Sequence, residues 1–169
     1  MATLSEILGE YDAALDYHRR GIALMDRGRS PGFIAMHLVG MANLALRMKD
    51  PAEADRLVMD AWPELTKQRD AQNLASALVI KSEVLLESGD PRSAADLFGA
   101  ADELVDTHGR VLTEVEVVEL DRLRGRFAQA LGPEEFERAR VAGRTRSIEE
   151  LTPAMMTPVA ISPEPPQPE

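Results

Sequence analysis

The stretch DPAEADRLVMDA, residues 50–61, returns as DPRSAADLFGAA, residues 90–101, at an offset of 40 residues. Both copies open with Asp-Pro, which predicts a helix with aspartate as N-cap and proline at the first helical position. Both also repeat small residues, and two helices approach closely only where no bulky side chain separates them. The pattern predicts a repeated helical hairpin, with Ala94 and Ala101 at contacts between paired helices.

The segments between these copies continue the repeat. Residues 32–49 and 71–89 are long, apolar on more than one side and free of internal proline, as expected of helices covered on both flanks. Short connections make successive helices antiparallel neighbours. Aromatic residues supply only 4% of the chain, and runs of β-branched residues are scarce. We therefore predict an all-α protein of seven or eight helices.

Ala94-x3-Phe98 resembles the A-x3-F element of the tetratricopeptide repeat (TPR), and the resemblance covers about residues 9–108. The period of about 40 exceeds the usual value of about 34, and HEAT repeats share the longer period. The Trp and Tyr of the TPR consensus are also missing. The resemblance favours a TPR-like α-solenoid of antiparallel hairpins, with a HEAT-like solenoid as the alternative.

The N-terminal stretch LGEYDAAL, residues 8–15, allows two interpretations. In a standard repeat, Gly9-Glu10 would form the turn between two helices. Apolar residues nevertheless recur at steps of three and four through Gly9, and Thr3 with Glu6 matches a capping box. We therefore predict one long helix over about residues 4–27.

The C-terminal part has a different pattern. Thr113 with Glu116 and Ser147 with Glu150 match capping boxes, and residues 114–131 and 134–143 form a helical pair whose register is shifted from the repeat. We assign residues 1–156 to one helical domain with C-terminal capping helices. Residues 157–169 are rich in proline and glutamate, which predicts a disordered, dispensable tail outside the fold.

Charge and residue content limit the function. The net charge of −10 disfavours nucleic acid and membrane surfaces and favours a protein or peptide partner with basic character. The three histidines lie on three predicted elements, so we expect no metal, and we expect no cofactor. Acidic pairs on predicted helix faces are typical of solvated surfaces, so we expect that the protein is not an enzyme. The absence of cysteine and of a signal peptide pattern predicts a cytoplasmic protein.

The repeat geometry predicts a binding groove. Stacked hairpins curve, and the first helix of each hairpin lines the concave side. The 40-residue offset pairs four residues of one such helix with four of the next. Apolar and charged side chains mix on this surface, which suits a basic peptide or helix. The alternative is that a helix of the same chain fills the groove. The predicted groove residues are Met36, Val39, Asn43, Arg47, Ser76, Val79, Glu83 and Glu87.

A second candidate surface is the basic end of the domain. We consider an anion-binding patch there, composed of Arg138, Arg140, Arg144 and Arg146. A homo-oligomer is also compatible with the sequence.

Residues 93–151 carry a more specific resemblance. The segments Leu97-x-Gly99-Ala100-Ala101, Leu131-Gly132-x-Glu134-x-Phe136, Gly143-Arg144 and Ser147-Ile148-Glu149-Glu150 follow one another. This succession resembles the C-terminal TPR-like domain of actinobacterial STAND-ATPase transcriptional regulators of the LuxR and SARP types. The resemblance implies a non-catalytic interaction module in transcriptional or signalling regulation. The alternative that it leaves open is a domain that senses a small-molecule effector.

Overall fold

A computed structural model describes residues 10–25, 30–108 and 113–161 of the chain. This part is all-helical, as predicted, and contains eight α-helices packed in sequential antiparallel pairs, an arrangement consistent with a helical repeat. The helices are α1 (Tyr11–Leu24), α2 (Pro31–Arg47), α3 (Pro51–Gln68), α4 (Ala71–Glu87), α5 (Pro91–Thr107), α6 (Glu114–Leu131), α7 (Pro133–Arg144) and α8 (Ile148–Met156).

The predicted helix starts are confirmed by their hydrogen bonds. The side chains of Asp50 and Asp90 accept from the backbone N–H groups of Glu53 and Ser93, the third residues of α3 and α5, and each aspartate is followed by proline. Both predicted capping boxes, at the starts of α6 and α8, are present. The 40-residue period also holds for the first helices of the hairpins, since α2 begins at Pro31 and α4 at Ala71.

Small residues bring the repeat helices together. Ala94 is fully buried and Ala101 nearly so, which confirms both as close-contact positions. Leu57, Leu78 and Leu97 pack in one core that α2, α3, α4 and α5 share. Burial of this apolar surface is the main force that orders the stack.

The prediction of one unbroken helix over residues 4–27 is wrong. Glu10 has φ −85° and ψ 60°, which is not helical, so α1 begins at Tyr11. At the other end Met25 is extended, and α1 ends at Leu24. Apolar spacing reports which face a residue occupies, but it does not report backbone dihedrals, so the break was not visible in the pattern. The predicted Thr3–Glu6 capping box and Gly9 lie outside the described residues.

The C-terminal helices depart from simple stacking. Helix α7 packs mainly on α5 rather than on its sequence neighbour α6. The rings of Phe98, Phe127 and Phe136, from α5, α6 and α7, lie 5.3–6.3 Å apart. Helix α8 packs on α3, where Trp62 donates to the hydroxyl of Thr152 across 3.1 Å. These contacts fasten the end of the domain and leave one face of α6 turned toward α2 and α4.

A buried ion pair draws the chain beyond α8 into the fold. Lys81 is 0% exposed, and its ammonium donates to Asp55 and, across 2.7 Å, to the carbonyl of Thr157. The other carboxylate oxygen of Asp55 accepts from the N–H of Val159 across 2.8 Å, and Val159 and Ile161 pack against the core. Thr157, Val159 and Ile161 therefore contact the fold, within the stretch predicted to be a disordered tail, because two buried charges need hydrogen-bond partners. Residues 162–169 lie outside the described part.

Candidate functional site

A half-open cavity of about 760 Å³ lies between α2, α4 and α6, with α1 at one end. We call it the α2–α4–α6 cavity. All eight residues of the predicted groove line it. The 40-residue offset therefore brings two sets of side chains from separate helices onto one surface.

Depth in the cavity varies with position on the repeat. Val39 is buried and belongs to the shared core, and Val79 is partly buried against the same core. Met36 is 39% exposed and Arg47 is exposed, so they lie nearer the rim. Asn43 lies between Val39 and Arg47 on the same face of α2. The floor is thus apolar, and the rim combines Met36 with polar and charged side chains. An apolar centre with polar groups around it is common in ligand sites and protein interfaces.

Helix α6 forms the third wall through ion pairs. Arg126 lies 3.2 Å from Glu83 and 3.4 Å from Glu87, both on α4. Glu119, two turns earlier on α6, pairs with Arg47 of α2. The sequence also allowed a helix of the same chain to fill the groove. Helix α6 borders the groove at this edge without filling it. The cavity remains because α6 reaches α2 and α4 through long side chains.

The surroundings of Glu83, one of the two acids on α4, disfavour its ionised form. Burial raises the pKa of Glu83, and the neighbouring charge of Glu87 raises it further, while the guanidinium of Arg126 lowers it. Burial is the largest of these effects. Glu83 and Glu87 therefore form a site that favours a cation, and Arg126 supplies one from within the chain.

The α6 contribution was missing from the predicted site. The predicted groove contains none of the α6 residues Glu119, Leu120, Leu123 and Arg126 that line the cavity. A signal was present, because Glu119, Leu123 and Arg126 are spaced by four and three residues and share one helix face. That face is complementary in charge to the predicted groove, with an acid opposite Arg47 and a base opposite the α4 acids.

Two of the histidines converge at the α1 end of the cavity. The Nδ1 atoms of His18 and His37 lie 2.9 Å apart, and both residues are buried. Gly21 and Gly40 make room for them: a Cβ at Gly21 would lie 2.6 Å from Nε2 of His37, and one at Gly40 would overlap the ring of His18. Burial, followed by the charge of His18, lowers the pKa of His37. His18 and His37 lie on different helices, so their spacing in the sequence did not predict that they meet.

The third histidine, His108, has a local role at the end of its own helix. Nδ1 of His108 lies 3.0 Å from the carbonyl of Leu104 at the end of α5. Among the described residues, no group of three or more His, Asp or Glu side chains could hold a metal ion. Within the same residues, no helix is both long and apolar enough to cross a membrane.

The predicted anion-binding arginines are engaged with carboxylates. Three of them bridge α7 and the residues after it to α5, and the fourth pairs within α7. This pairing leaves little net positive charge for an external anion. The ion pairs are Arg138 with Glu135, Arg140 with Asp102 and Glu137, Arg144 with Glu103 and Asp106, and Arg146 with Asp96.

No family model, curated protein or solved structure matches the chain. The resemblance of residues 93–151 to regulator domains therefore identifies no family. The established finding is an all-helical domain with eight packed helices in its described part.

Proposed function

We propose that the chain is a non-catalytic binding module whose α2–α4–α6 cavity takes a cationic segment of a protein partner. The observation that carries this proposal is the pair Glu83 and Glu87, which already holds the guanidinium of Arg126 at 3.2 and 3.4 Å. An arginine from a partner meets the same two carboxylates, and the apolar floor at Val39 and Val79 receives the aliphatic part of the segment.

The net charge supports the same class of partner. At −10, the chain attracts cationic segments over distances longer than the cavity itself. The resemblance of residues 93–151 to STAND-ATPase regulators suggests that the partner belongs to a transcriptional or signalling system. In that setting the helical module supplies an interaction surface, and the chemistry belongs to another domain.

Selection from a display library of short peptides tests the proposal. Selected peptides should contain arginine or lysine, and replacing that residue by glutamine should weaken binding. In the protein, Glu83→Gln/Glu87→Gln should weaken binding by about tenfold or more, because a hydrogen bond to a charged group contributes about 1.5–3 kcal/mol. Titration calorimetry measures both effects.

The matched control is Glu134→Gln/Glu149→Gln, which removes the same charge from two exposed residues outside the cavity lining. This control should bind the selected peptides nearly as wild type does. If both double variants lose the same binding affinity, the effect comes from the net charge of the protein and not from the cavity. Peptides that bind without any basic residue would overturn the proposed cavity chemistry.

A second candidate function is a sensor for a small-molecule effector. The observation that favours it is the cavity volume of about 760 Å³ between three helices, which falls within the range of about 300–1,000 Å³ typical of small-ligand sites. A thermal-shift screen separates the two functions. A small effector at 100 times its Kd should stabilise the domain by about 2.7 kcal/mol.

A further inference from the structure

The two halves of α6 are held very differently. In its C-terminal half, Leu123 and Phe127 are buried, and Phe127 packs against the rings of Phe98 and Phe136 at 5.3 Å. In its N-terminal half, no side chain of residues 114–119 is buried, and Val115 and Val118 are 52% and 67% exposed. Leu120, where the two halves meet, is partly buried against the same cluster as Phe127. The hydrophobic effect therefore anchors one end of the helix and contributes little at the other.

Ion pairs close this wall of the cavity. Glu119 pairs with Arg47 in the weakly buried half of α6, and Arg126 pairs with Glu83 and Glu87 next to the anchor. The side chains in these pairs are 31–42% exposed. Ion pairs with that exposure contribute little to stability and weaken as salt is added. The wall can therefore open while the core stays folded.

Helix α6 also occupies the acidic pair that the proposed partner would need. Arg126 sits on the acidic pair of α4, where a partner's cation would bind, and Glu119 sits on Arg47. A partner that binds these groups must replace the α6 contacts rather than add to them. Its apparent affinity is lowered by the fraction of molecules in which α6 is closed.

We propose that α6 is an autoinhibitory element: Arg126 mimics a partner's cation on the acidic pair of α4, and Glu119 holds the N-terminal half of α6 against Arg47. A partner's cation displaces the side chain of Arg126, and the N-terminal half of α6 moves outward to admit the partner. The opening itself is a property of this chain without ligand. The competition with a partner rests on the proposed function of the cavity.

Pulsed EPR distance measurement tests the opening. The chain has no cysteine, so spin labels can be attached through Val118→Cys on α6 and Gln72→Cys on α4, both exposed positions. Raising NaCl from about 0.1 M to about 1 M shortens the Debye length from about 10 Å to about 3 Å. A second, longer distance population should appear with salt, and in Arg47→Gln/Arg126→Gln at low salt.

The matched control is Arg20→Gln/Arg56→Gln. It removes the same charge from arginines paired within α1 and α3, outside the cavity lining. The control should keep the closed distance at low salt. If the distance distribution is the same at both salt concentrations and in both double variants, α6 is not a gate. Circular dichroism checks each fold, and if a variant unfolds, the salt series on the labelled wild type decides the question.

Peptide binding tests the competition separately. A peptide selected on the wild-type protein should bind Arg126→Gln at least about threefold more tightly, because the variant removes the internal competitor. Unchanged or weaker binding would overturn the competition while leaving the EPR result intact. If no basic peptide binds although the distance changes with salt, the proposed function fails and the gate stands.

Discussion

Gly99 and Gly143 set how closely α5 and α7 approach. A Cβ at Gly99 would overlap the carbonyl oxygen of Arg140, and one at Gly143 would overlap that of Asp96. The two helices thus touch backbone to backbone at two reciprocal points, and interhelical arginine–carboxylate pairs flank the contact. These glycines are landmarks of the regulator resemblance, and helix packing accounts for both of them.

Alanine substitution at two helical glycines tests this contact. Gly143→Ala should destabilise the domain by about 1–3 kcal/mol, because α7 must move away from α5. Gly125→Ala, on α6, is the control: nothing lies within 4 Å of its added Cβ, and replacing a mid-helix glycine should stabilise by about 0.5–1 kcal/mol. Urea unfolding gives both values. If both variants shift stability in the same direction, the close approach is wrong.

Glu83 should titrate above the ordinary glutamate pKa of 4.5, because it is partly buried. Arg126→Gln should raise the pKa of Glu83 further, and Glu87→Gln should lower it, since these neighbours act in opposite directions. Carbon-13 NMR of the carboxyl groups measures each pKa. A Glu83 pKa at or below 4.5 in the wild type would contradict its placement between α4 and α6.

The same shift sets the sign of a pH effect on stability. Because folding raises the pKa of Glu83, the ionised form is penalised in the folded state at neutral pH. The penalty disappears as the pH falls through the raised pKa toward 4.5. Relative to Glu83→Gln, the wild-type protein should therefore gain stability on acidification through that window.

At the scale of elements, residues 157–161 after α8 act as a structural strap, and we call this segment the strap. Thr157 and Val159 supply hydrogen bonds to Lys81 and Asp55, which are 0% and 4% exposed. Water cannot easily replace these partners at a buried site, so their loss leaves charged groups incompletely solvated. Val159 and Ile161 of the strap also pack against the shared core.

Two truncations test the strap. Removing residues 157–169 should lower stability by about 1–3 kcal/mol for each buried charge that loses a partner. Removing residues 162–169 leaves Thr157 and Val159 in place and should keep the melting temperature within about two degrees. Differential scanning calorimetry compares the two chains. Equal melting temperatures would show that the strap contributes nothing.

Features that a local sequence pattern determines were predicted correctly, whereas features that depend on contacts between distant parts of the chain were not. The Asp-Pro starts, the capping boxes and the repeat offset are local, and they were sufficient to place Val39 and Val79 on one surface. The position of α6 depends on Phe127 meeting rings from α5 and α7, which no spacing within α6 reveals. Lys81 lies in an apolar stretch, and its partner Asp55 is on another helix.

At the scale of the whole molecule, the described repeat helices stack in antiparallel pairs, and α6, from outside the repeat register, lies over the face that α2 and α4 share. The stack explains why the cavity lies between α2 and α4, and α6 explains its charge balance. Binding a cationic segment in this cavity is the central claim. If the claim is right, an isolated arginine side chain, outside any longer peptide, should bind at Glu83 and Glu87.

Methyl NMR with a minimal probe tests this claim most directly. N-acetyl-argininamide is titrated into protein labelled at Val and Leu methyl groups, with the neutral citrulline analogue as the matched control. Binding at Glu83 and Glu87 should shift the methyl signals of Val79 and Leu120, which line the cavity, and leave Val141 on α7 unchanged. Equal shifts with the citrulline analogue, or arginine-dependent shifts at Val141 but not at Val79, would contradict the claim.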